Sequence, residues 1–244
     1  MAVVVWVFAG GGVAEVIGLI PFLEKNFPGY RFERKTPARQ KPGPKPGKMV
    51  GYGKTGKSLI EQISKELPRA LKNEPNRCNL ILVFDDLDCR NSIQQKKSIK
   101  DSIEEIISKI PASDNIKHFI GFAAPEIESW IIADWSNTIG KHPDFRSRHE
   151  KMRWWLSTKR NIPFDHPESF SEYDPARDCC QEKLSEALID SSILEEFDSS
   201  TTRFSKGYHT PLLLLEIRPD EVQRKCPLFR EMYNYLMSCL LSDV

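Results

Sequence analysis

A chain of 244 residues, 40% hydrophobic and 28% charged, can bury a full core and fits one large α/β domain with an appendage. Its 35 Lys and Arg against 34 Asp and Glu leave a net charge of +1, which excludes a uniformly cationic nucleic-acid binder and makes any such contact local. The six cysteines (Cys78, Cys89, Cys179, Cys180, Cys226, Cys239) lack the paired short spacings of tetrahedral zinc sites, and no secretory segment implies an oxidising compartment, so free thiols and a cytoplasmic location are expected.

Met1 to Phe8 is apolar but has no basic flank and soon meets glycine, too short for a signal or a membrane span; it reads as a first buried strand. Val3 to Phe8 is a continuous β-branched and aromatic run, as in a parallel strand covered on both faces, and Gly10-Gly11-Gly12 ends it. From Val13 to Lys25 apolar residues recur at helical spacing, with Pro21 either kinking that helix or starting a new one. Tyr30 to Arg34 predicts a short second strand. Residues 34 to 57 carry Arg34, Lys35, Arg39, Lys41, Lys45, Lys48, Lys54 and Lys57, four prolines and no acid, which predicts a mobile basic loop.

Helical periodicity returns from Leu59 to Leu71, and Asn79 to Phe84 is a second strongly apolar strand that runs into Asp85-Asp86-Leu87-Asp88. A helix from about Ser92 to Ile110 and a strand from about Lys117 to Ala123 follow, and Pro125-Glu126-Ile127-Glu128-Ser129-Trp130 opens another helix. After Trp135 the strand and helix alternation fades, with a helical finish from Pro227 to Leu241. The organisation expected is an α/β domain over 1–140, with a mostly parallel sheet flanked by helices, and a mainly helical accessory region over 141–244 packed on it.

Ligands in open α/β sheets collect beyond the carboxyl ends of strands, and both acidic clusters lie at such ends. Asp86 and Asp88, two apart on an extended tip, can face one side and share a hard cation, with Glu126 and Glu128 completing an oxygen shell for Mg²⁺ or Mn²⁺. The plainer alternative is that Asp85 or Asp88 caps the next helix and Glu126 complements a helix dipole. Gly51 to Ser58 matches the phosphate-loop pattern, with Asp86 as the strand-end acid of a nucleotide site, yet the proline-rich Lys41 to Lys48 precedes it where a buried strand should. The same lysines, Lys54 and Lys57, suit a basic flap on nucleic-acid phosphates or a solvated loop. Trp130 reads as core, whereas Trp154 and Trp155 are open to core or base-stacking roles. Lys206 can neutralise phosphate, and His209 either shuttles protons or is structural.

Asp86-Leu87-Asp88 and Glu126-Ile127-Glu128-Ser129-Trp130, followed by Ala133-Asp134, resemble motifs of the Toprim fold of topoisomerases, primases and overcoming-lysogenization-defect nucleases. The likeness is strongest to small bacterial Toprim-like families found beside ATPases in phage defence, and it covers about residues 1 to 135. It implies a Mg²⁺-dependent nuclease subunit acting on nucleic acid with a separate ATPase, with Asp86, Asp88, Glu126 and Glu128 as ligands, Glu15 as a further ligand or general base, and Lys54, Lys57 and Lys206 on phosphate. The first motif of that family, a strand ending in Glu-Gly, reads Ala9-Gly10 here. Glu15 taking over, a site that binds metal without cutting, and an inactivating substitution are the three expectations this leaves. A phosphate-loop nucleotide binder and a non-catalytic subunit of an ATPase complex are the rival functions.

Overall fold

Val3–Ala9 (β1) is buried without alternation from Val5 to Ala9, because a strand with a neighbour on each edge and helices over both faces has no wet side. The computed structural model of the chain describes residues 3–10, 12, 15–36, 57–110, 116–195, 197 and 200–242. With Tyr30–Thr36 (β2), Leu80–Asp86 (β3) and Lys117–Ala123 (β4), β1 forms a sheet of order β2-β1-β3-β4, and both β2 and β3 run parallel to β1.

Helices connect successive strands. Pro21 starts a new helix: a π-helical turn over Glu15–Leu19 gives way to Ile20–Asn26 (α1), where the proline occupies the first turn and its missing N–H costs nothing. Lys57–Asn73 (α2) buries Leu59, Ile63 and Leu67 at four-residue spacing, and Ser92–Ile107 (α3) buries Ile99, Ile103 and Ile107 likewise. The α3 helix stops three residues short of Ile110, in a turn after Ser108. Residues 34 to 36 belong to β2 instead of the basic loop, and Lys35 pairs with Glu33 and Glu74. Residues 37–56, the rest of that loop with Lys54 and most of the phosphate-loop pattern, lie outside the described residues.

The chain divides into two compact units on lines other than a single boundary near residue 140. One comprises 1–85, 91–121 and 235–244; the other comprises 86–90 and 122–234. The tips that follow β3 and β4 therefore belong with the later helices. The physical reason is local packing: Glu128–Ala133 (α4), entirely buried, lies against Leu184–Ser191 (α6), Lys206–Glu216 (α7) and Pro219–Lys225 (α8).

The second unit also holds His149–Lys159 (α5) and the first half of Pro227–Ser242 (α9), and it is not purely helical. Tyr173–Asp174 (β5) and Cys179–Cys180 (β6) form an antiparallel hairpin. Cys180 is disulfide-bonded to Cys89, which corrects the expectation of free thiols throughout; no short sequence spacing betrays a pair 91 residues apart. Trp130 is fully buried against Phe229, as a core residue should be, whereas Trp154 is 57% exposed on α5. No helix among the described residues is long and apolar enough to cross a membrane.

Candidate functional site

The two acidic tips meet through the backbone before their side chains do. The amides of Leu87 and Asp88 donate to the carbonyls of Ala123 and Pro125, continuing the strand pairing past the end of the sheet. Asp86 is buried and its Oδ1 accepts the Ile127 amide at 2.9 Å, so the first acid of one tip anchors the backbone of the other. Neither acid of the Asp86-Leu87-Asp88 tip caps α3. Asn91 does, accepting the Gln94 amide at 3.0 Å, and the plainer account of these aspartates falls away.

Three of the four expected ligands converge on one cation. Lys206, the first residue of α7, places its Nζ 3.1 Å from Glu126 Oε1, 3.1 Å from Glu128 Oε2 and 4.0 Å from Asp86 Oδ2. All three acids are at most 6% exposed. Glu126 Oε2 also accepts the Ser185 amide at 3.0 Å, and the Ser185 hydroxyl lies 3.1 Å from both its oxygens. Thr210 Oγ1 donates to Glu128 Oε1 at 2.9 Å. Burial alone would push the Glu126 carboxyl up, but the Lys206 ammonium and the two Ser185 donors outweigh it and hold the group below the usual carboxylate range.

The fourth expected ligand is turned aside. Asp88 adopts a left-handed backbone (φ 49°) and its carboxylate pairs with Arg90 at 3.1 Å, while Arg90 also bonds Asp178 in the turn between β5 and β6. Burial raises the Asp88 carboxyl, and Arg90 only partly reverses this.

Lys206 and Thr210 stand one helical turn apart on α7, so both reach the same pair of glutamates. Thr210 and Ser185 were not legible as site residues, since a lone hydroxyl in a helix carries no motif; the i, i+4 spacing from Lys206 is the one signal that could have singled out Thr210.

His209, expected to act on phosphate or protons or else to be structural, has partners of its own. It is 1% exposed; its Nδ1 accepts the Ser205 amide at 2.8 Å and its Nε2 lies 3.2 Å from Asp144 Oδ2. Among the described residues His142, Asp144 and His209 bring one potential ligand atom each within 4.8 Å of one another. The tautomer argues against a metal there. A backbone donor on Nδ1 leaves the proton of the neutral ring on Nε2, the nitrogen that faces Asp144, whereas a ligating histidine needs its other ring nitrogen to be the donor. His142 Nδ1 likewise accepts the Asp144 amide, at 3.3 Å. This cluster secures the start of α7. Burial lowers the His209 pKa, with Asp144 pulling the other way.

Of the remaining expected residues, Glu15 lies in the π-helical turn before α1 and Lys57 and Ser58 begin α2, while Lys54 and Gly51 to Gly56 fall outside the described residues. Ala9 closes β1 in register with Phe84 of β3.

Residues 31–237 match the model of a family described as a domain of unknown function, DUF4276. No curated protein and no solved structure matches the chain.

Proposed function

The chain belongs to the DUF4276 family, and from that premise and the acidic cluster we propose that it is a Toprim-like, metal-dependent nucleic-acid phosphodiesterase. One observation carries the reading: carboxylates from the ends of two strands, Asp86, Glu126 and Glu128, point at a single cation, the Lys206 ammonium. Supporting it is the location, beyond the carboxyl ends of β3 and β4, where α/β sheets gather their ligands.

Hard oxygen donors of this kind suit Mg²⁺ or Mn²⁺, and Asp86, Glu126 and Glu128 would hold the ion, with Asp88 joining when it leaves Arg90. Bound there, such an ion polarises a phosphate oxygen and lowers the pKa of a coordinated water. The chain's own residues prepare the site. Ser185 and Thr210 fix the two glutamates by donating to their oxygens, and Glu126 stays ionised at neutral pH. Lys206 offsets the carboxylate charge and, once displaced from it, neutralises a phosphate oxygen of the nucleic acid. A separate ATPase partner follows from the Toprim likeness alone.

The Toprim likeness favours a second reading, in which the site binds cation and phosphate but cuts slowly, because Ala9 stands where that family's first strand ends in glutamate. Calorimetric titration with Mn²⁺ and cleavage of labelled single- and double-stranded DNA and RNA separate the two. The Glu126→Gln, Glu128→Gln double variant should lose about tenfold or more in Mn²⁺ affinity, the size typical of losing metal-site groups. Unchanged affinity would sink the site. Cleavage by the unaltered chain supports the phosphodiesterase, whereas Mn²⁺ binding with cleavage that appears only in Ala9→Glu supports the second reading.

A further inference from the structure

Cys89 follows directly on Asp86-Leu87-Asp88, and its sulfur is bonded to Cys180 of β6. The same hairpin holds the next residue as well: Arg90 donates to the Asp178 carboxylate and carbonyl, and Tyr173 of β5 donates to that carboxylate at 2.8 Å. The tip that carries the aspartates is thus tied to one hairpin by a covalent bond and an ion pair, both within the second unit.

Asp88 and Cys89 are both in the left-handed region, at φ 49° and 60°. Residues other than glycine rarely adopt it, and two in succession are held there by their surroundings. The cross-link is the one covalent part of those surroundings. Cys180 is 1% exposed, Cys89 is half-buried, and Cys179, next in sequence to Cys180, is a half-buried free thiol. A reductant therefore reaches the Cys89 sulfur first.

We propose that Cys89 and Cys180 form a redox-modification site that orders the Asp86-Leu87-Asp88 tip when oxidised and releases it when reduced. Resting on the cation reading above, it also sets the affinity of the neighbouring carboxylates for a divalent ion. The reductant is a dithiol. Its thiolate attacks Cys89 Sγ, the disulfide breaks, and Cys180 leaves as a thiolate that takes up a proton. The reductant's second thiol then attacks the mixed disulfide, freeing the Cys89 thiol and closing a cyclic disulfide. Two electrons and two protons pass to the cysteine pair. Without the cross-link Asp88 and Cys89 relax toward ordinary backbone angles, Asp86 loses its fixed approach to the Ile127 amide, and a preorganised ligand set becomes a mobile one.

The full chain, oxidised or treated with dithiothreitol, is followed by amide hydrogen exchange and Mn²⁺ calorimetry, with a thiol count to verify a gain of two. Reduction is expected to speed exchange at the Leu87 and Asp88 amides roughly tenfold or more, as for a segment that opens locally. It should also weaken Mn²⁺ binding by about tenfold, the effect of losing a group that orients ligands. The Cys89→Ser, Cys180→Ser variant should match the reduced protein and ignore the reductant. Unchanged exchange at Leu87 and Asp88 after full reduction would overturn the proposal. Faster exchange with no Mn²⁺ binding in either state would uphold the redox-controlled tip and overturn the cation reading alone.

Discussion

The second unit contains two clusters of ligand-type side chains, and they differ in what their lone pairs are doing. Around Lys206, the oxygens of Asp86, Glu126 and Glu128 accept bonds from Ile127, Ser185 and Thr210, yet a carboxylate offers about four lone-pair sites and can serve a donor and a cation together. Around Asp144, each histidine has a single acceptor nitrogen when neutral, and a backbone amide already occupies it in both. The cluster around Asp144 is therefore the poorer cation site. Proximity of metal-ligand residue types decides less than the capacity left after the fold has taken its hydrogen bonds.

The sharpest way to break this contrast is to remove the lysine. Lys206→Met leaves three buried carboxylates facing one another, and without divalent ions the variant should lose about 3 kcal/mol of stability, the lower end of the range for breaking a buried pair because the Lys206 side chain is 31% exposed. Denaturant titration should show Mn²⁺ recovering more stability in this variant than in the parent. Equal recovery would mean that the acids do not share a cation position. Thr210→Val tests the donor side of the same cluster: it strips a hydroxyl from Glu128 and should cost about 1–3 kcal/mol in either buffer.

The smallest effect belongs to the other cluster and is read as a pH slope. Burial holds the His209 pKa below its ordinary value, so in mildly acidic solution the unfolded chain takes up a proton that the folded one refuses. Stability contributed by the neutral ring is present above the unfolded pKa, about 6.5, and declines as the pH falls below it. His209→Gln should flatten that decline between about pH 7.5 and 5.5 by roughly 1 kcal/mol or less, while leaving Mn²⁺ titration of the carboxylate cluster unchanged. Mn²⁺ or Zn²⁺ binding lost in His209→Gln would reverse the comparison.

The strands and the acids at their ends were legible in the residues alone. Val3 to Phe8 and Leu80 to Phe84 are unbroken apolar runs of strand length, and such runs have few alternatives once helices alternate with them. Asp86, Asp88, Glu126 and Glu128 were singled out because strand ends are where chain direction changes and ligands gather, a rule that needs no partner to be known. Helix limits were less legible: Pro21 opens α1 where a kink was equally compatible with the spacing, since a proline in the first turn and a proline at a kink share one local pattern.

What each acid faces was decided by the tertiary structure alone. Lys206 is 80 residues from Glu126, Thr210 is 82 from Glu128, and Cys180 is 91 from Cys89. Asp88 has the same chemistry as Asp86 and sits two residues away, yet a left-handed turn and Arg90 direct it elsewhere. The amino-acid sequence determined which segments become strands and helices and which strand ends carry charge, because period and side-chain branching act over a few residues. Only the packing of α4 against α6 and α7 chose among several equivalent lysines, hydroxyls and cysteines, because no local interaction distinguishes one distant partner from another.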